Sequence, residues 1–120
     1  MPKILLADVE VSCDEVSSFL EKHGCQVTSV NDIDSMKAAL SKDRFDLLIL
    51  EPYVSCTETV DGRGMQAFLR IVSQKDHPPI IITTVFRNYG FVRQCAAAYL
   101  HKPYLTQDLL TSIQKVLQSN

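Results

Sequence analysis

The sequence predicts an α/β fold: a doubly wound, five-stranded parallel sheet of order 2-1-3-4-5, enclosed by helices in three α/β/α layers. Two observations predict it. Short runs such as Ile4–Ala7, Leu47–Leu50 and Ile80–Ile82 are apolar at every position, which suits strands buried on both faces rather than strands with one wet face. Between these runs lie segments with apolar residues at helical spacing, so strand and helix alternate along the chain.

A length of 120 residues allows one domain, residues 1–120, with a single layered core. With 46% hydrophobic and 22% charged residues the composition is that of a globular protein. The net charge of -2, with both signs interspersed, advertises neither a basic face for nucleic acid nor a polybasic segment for a membrane. The chain enters an apolar strand at once, without a signal-peptide core or a run of transmembrane length, so a cytoplasmic location is expected. Cys13, Cys25, Cys56 and Cys95 lie far apart and read as reduced thiols. His23, His77 and His101 have no metal-ligand spacing.

Taken in order, Lys3 to Asp8 is the first strand and ends in a carboxylate. From Val11 to His23, Cys13, Val16, Phe19 and Leu20 share a helical face, and Gly24 sits where a left-handed cap belongs. Gln26 to Val30 is a second strand, and Asn31-Asp32 offers a turn and an N-cap for a helix over Ile33–Lys42. The central strand follows within Phe45-Asp46-Leu47-Leu48-Ile49-Leu50-Glu51-Pro52. Pro52 to Arg63 reads as a loop, longer than a usual βα connection and so a candidate interaction element. Helical spacing resumes over Gly64–Gln74, and His77-Pro78-Pro79 breaks it before the strand Ile80–Thr84. Val85 to Ala97 leaves room for a short helix over Phe91–Ala96. Ala98–His101 is the fifth strand, and Thr106 caps a last helix that buries Leu109, Leu110, Ile113, Val116 and Leu117. Right-handed crossovers then give the flavodoxin-like order.

In such a sheet the carboxyl ends of strands one, three, four and five bring Asp8, Glu51, Thr84 and Lys102 around one crevice. Acids can hold a divalent cation, and a hydroxyl with an ammonium can hold phosphoryl oxygens. The plain alternative is that these residues are polar caps on buried strands.

Four stretches carry a resemblance to a known family. ILLADVE at residues 4–10, FDLLILEP at 45–52, PIIITTV at 79–85 and AAYLHKPY at 97–104 resemble the ILIVDDE, PDLVLLD, P-x-I-x-L-T-A and ADDYLxKPF segments of response regulator receiver domains, of the chemotaxis-receiver type. The resemblance covers essentially the whole chain. It implies a magnesium site at acids after strand one, a phospho-accepting Asp after strand three, and a Thr/Ser and a Lys that stabilise the acyl phosphate. The resemblance also implies an aromatic three residues before the Lys that changes rotamer with activation. Asp8 matches the first acid, Thr84 the hydroxyl, Lys102 the lysine and Tyr99 the aromatic. Val9 stands in place of the second acid, and Glu51 in place of the phospho-accepting Asp. A weak or absent magnesium site at Asp8 is therefore expected, with Glu10 a candidate substitute and no other cofactor.

Glu51 is one methylene longer than Asp, which displaces the acceptor and lets it reach Lys102 and Thr84 as a partial mimic of the phosphorylated state. A structural Glu51–Lys102 ion pair is the rival account. The interval from Thr84 to Lys102 is about one helical turn shorter than in the family, so the partner-binding face next to it is rebuilt. The resulting expectation is a degenerate, phosphorylation-independent pseudo-receiver, not an enzyme, acting by protein–protein interaction. Its partners are signalling proteins, either a histidine kinase or an effector, with a homodimer compatible and no direct nucleic-acid or membrane binding. One alternative is a conventional magnesium-dependent phospho-accepting regulator. Another is a small flavodoxin-like cofactor binder or enzyme, which the lack of a Gly-rich phosphate loop after strand one disfavours. On the sequence alone, Glu51→Gln is expected to lower stability or partner affinity if the charge of Glu51 matters, and to change neither if the residue is decorative.

Overall fold

A computed structural model of the chain describes residues 1–8, 13–51, 69–84 and 94–118. Its strands are β1 (Lys3–Ala7), β2 (Gln26–Val30), β3 (Leu47–Leu50), β4 (Ile80–Thr84) and β5 (Ala98–His101). They form one sheet in the order β2-β1-β3-β4-β5, with every neighbouring pair parallel. The expected fold class and strand order are thus observed.

The uniformly apolar strands feed two cores, because alternate residues point to opposite faces. Leu5, Ala7, Leu48, Leu50, Ile80 and Ile82 pack with Ile33 and Met36 of α2 (Ile33–Lys42) and with Ile71. Ile4, Leu6, Leu47, Ile49 and Ile81 face Val16 and Leu20 of α1 (Cys13–Lys22) and Leu109, Leu110, Ile113 and Val116 of the C-terminal helix (Thr106–Gln118). All four residues of β3 are buried, as its lack of alternation requires.

The helix ends show why the chain turns where it does. Asp32 caps α2 by accepting a 2.7 Å hydrogen bond from the Ser35 amide, as expected. Thr106 is instead the first helical residue, and the Leu105 carbonyl accepts the first bonds of that helix, from Asp108 and Leu109. After α1 the Gly24 amide donates to the Glu21 carbonyl at 3.2 Å and the Cys25 amide to the Leu20 carbonyl at 3.0 Å. This paired closure requires the positive φ of +89° at Gly24. A Cβ there meets no atom within 4 Å, so Gly24→Ala exposes backbone strain alone. Its expected cost is about 1 kcal/mol, read as a lower urea midpoint at unchanged slope.

Residues 69–73 are helical, within the helix expected over Gly64–Gln74, and residues 94–95 within that expected over Phe91–Ala96. The rest of those two segments and the loop Pro52–Arg63 lie outside the described residues. No described helix is long and apolar enough to cross a membrane.

Candidate functional site

The site is built by the last rungs of the sheet. The Asp8 amide donates to the Val30 carbonyl at 3.0 Å, Glu51 to Ala7 at 3.0 Å, and Lys102 to Thr84 at 2.7 Å. Each backbone is therefore held by the neighbouring strand just where its ladder stops. The four residues expected at the crevice are all buried: Asp8 is 4% exposed, Glu51 6%, Thr84 1% and Lys102 8%. Neither a lysine nor a carboxylate is normally buried this far unless it is paired.

The pairing differs from the sequence expectation in its order of closeness. Lys102 Nζ donates to Asp8 Oδ2 at 2.5 Å and lies 3.7 Å from Glu51 Oε2. The lysine is thus chiefly the partner of Asp8, with Glu51 in the outer position of a three-charge cluster. Two carboxylates share one cation. Burial pushes the Glu51 carboxyl up to about 7, outweighing the attraction of Lys102 and the hydrogen bond from the Thr84 hydroxyl, while the charge of Asp8 adds to the rise. Near neutrality the protonated form of Glu51 is therefore far more accessible than for an ordinary glutamate. For stability, as distinct from partner affinity, burial of this charge favours the opposite expectation, a gain on Glu51→Gln.

Thr84, expected as a hydroxyl at the crevice, is placed there and bonded to Glu51. Tyr99 is half-buried one layer down, paired in register with Ile82 and packed against the core on the α2 side. Val9 and Glu10 lie outside the described residues. One buried polar residue escaped the sequence reading. Thr83 is fully buried, and its hydroxyl has no hydrogen-bond partner among the described residues. Its only signal is a hydroxyl inside the run Ile80–Ile82–Thr84, where alternation places position 83 on the same face as Ile81.

The described donors fit a divalent cation poorly. Among the described residues, no three His, Cys, Asp or Glu side chains come together. One oxygen of Asp8 is taken by the Lys102 ammonium, and burial disfavours the ionised form of Glu51. Magnesium favours ionised oxygen ligands in a near-octahedral set, and an adjacent ammonium opposes it.

A family model described as the response regulator receiver domain matches residues 4–114. No curated protein matches the chain significantly in sequence. Among solved structures, a two-component response regulator from Clostridium difficile is similar with a TM-score of 0.84 at 22% identity, covering 98% of this chain and 97% of that one. The chemotaxis response regulator CheY4 of Vibrio cholerae has a TM-score of 0.79 at 26% identity, covering 97% and 98%. The response regulator TrrA of Thermotoga maritima, solved in complex with Mg(2+)-BeF, has a TM-score of 0.80 at 19% identity, covering 97% and 99%.

Proposed function

Because this chain belongs to the response regulator receiver domain family, we propose that it is a receiver of two-component signalling that works without phosphorylation, through contact with partner proteins. Receiver domains are regulatory modules, and the two-component class follows from membership. The degenerate behaviour is a reading of the crevice.

The observation that carries it is that the groups needed for phosphoryl oxygens are already engaged by carboxylates. Lys102 is held by Asp8 at 2.5 Å, and the Thr84 hydroxyl is bonded to Glu51. Phosphoryl transfer relies on in-line positioning and charge neutralisation, so a displaced acceptor facing an occupied lysine is a poor substrate position. Glu51 then serves as a partial built-in substitute for the phosphoryl group, with Thr84, Tyr99 and Lys102 as the remaining switch parts. Val9 in place of an acid weakens the cation site further. The partner is a histidine kinase or an effector protein, recognised by surface contact, and self-association is the other form such contact takes.

An amide NMR titration with magnesium, then magnesium plus beryllofluoride, tests this reading. The expected result is no saturable shift at Asp8, Glu51, Thr84, Tyr99 or Lys102 up to millimolar magnesium. Saturable shifts centred on those residues would establish a conventional phospho-accepting regulator instead.

A further inference from the structure

The end of the sheet opposite Glu51 carries a second feature, which the reading above does not use. A cavity of about 550 Å³ opens where the chain enters β3 and β4, floored by Leu40, Phe45, Leu48 and Ile71. A groove of about 270 Å³ between α2 and the helical residues 69–73 continues from it, sharing Leu40 and Ile71. Together they make a trough of mixed polar and apolar lining along the flank of α2, with Ser41 and Gln74 beside Leu40 and with Phe45, Leu48 and Ile71 buried beneath it.

The charges around the trough are unbalanced. Lys37, Arg44 and Arg70 are all exposed, line it, and have no ion-pair partner among the described residues. Of the acids that line it, Asp43 is taken by Lys3 at 3.1 Å, which leaves Asp76. A half-apolar trough rimmed by these cations matches an occupant with carboxylates beside a narrow apolar stripe.

We propose that this trough is a docking site for an acidic amphipathic helix of a partner protein. A helix presents residues i, i+3, i+4 and i+7 on one side, which suits a trough that runs between two helices. Arg44 and Arg70 offer planar donor forks to carboxylates, and Lys37 a point charge on the α2 side. Contact with the partly exposed Leu40 places the apolar stripe, and the cations supply attraction, orientation and selection against basic segments.

The test is an amide NMR titration of the whole chain with a capped peptide of about four helical turns, carrying Leu at i, i+3, i+4 and i+7 and Glu elsewhere. A second peptide with Lys in place of each Glu is the charge control. The expected result is saturable shifts at Lys37, Leu40, Arg44, Arg70 and Ile71 with the acidic peptide only. In the double variant Lys37→Glu/Arg70→Glu, binding is expected to weaken by about tenfold. Both substitutions are on exposed residues, and an unchanged spectrum at β1 and β3 confirms that the variant is folded. No saturable shift, equal binding of both peptides, or shifts centred on another surface such as that around Leu105 would overturn the proposal.

Discussion

Replacing Lys102 with Met is expected to destabilise the protein by about 3–5 kcal/mol at pH 8, the range for removing one partner of a buried ion pair. Asp8 and Glu51 would remain buried at 4% and 6% exposure with no cation between them. Met keeps most of the apolar stem, so the loss reports on the charge rather than on packing. Lowering the pH to 5 should restore part of it, because Glu51 takes up a proton readily and one of the two like charges disappears. Urea denaturation at the two pH values measures both effects. A loss below about 1 kcal/mol at pH 8, typical of an exposed pair, would mean that water reaches the cluster and that burial does not govern it.

The second large effect concerns the pH profile. An unfolded Glu51 releases its proton near 4.5, whereas the folded one holds it to about 7. Between these values the folded chain binds more protons than the unfolded chain. Stability therefore falls as pH rises through that window and levels off above it. Each pKa unit is worth about 1.4 kcal/mol, so the contribution lost by pH 8 is on the order of 3 kcal/mol. Glu51→Gln should abolish this slope, match the wild type near pH 5 and exceed it in stability at pH 8. Urea midpoints at several pH values from 5 to 8 decide the matter. Parallel profiles for the two proteins would show that Glu51 ionises freely in the folded state.

The strands were legible because burial on both faces leaves a plain mark: Leu47–Leu50 and Ile80–Ile82 have no polar alternation to suggest anything else. Once strand order followed from the crossover rule, the meeting of Asp8, Glu51, Thr84 and Lys102 followed with it. What sequence could not resolve was distance within the cluster. Whether a flexible lysine settles on Asp8 or Glu51 depends on differences of an ångström or so, which no residue pattern encodes. The titration of Glu51 was hidden for a related reason, since desolvation and attraction oppose each other and their balance depends on the depth of burial. Thr83 shows the converse case, a polar residue that the apolar context of Ile80–Ile82 made easy to pass over.

The contact between Lys102 and Asp8 spans 94 positions of chain and ties β5 back to β1 across β3 and β4. Contacts of such sequence separation form late, since loop closure must precede them. β1, β2 and β3 all precede the lysine in the chain, so pairing among them alone would bring the two carboxylates together without a counter-charge. On this ground the crevice is expected to close after the folding transition state rather than to nucleate it. The penalty of Lys102→Met accordingly belongs on the unfolding arm of a chevron, with the folding arm little changed.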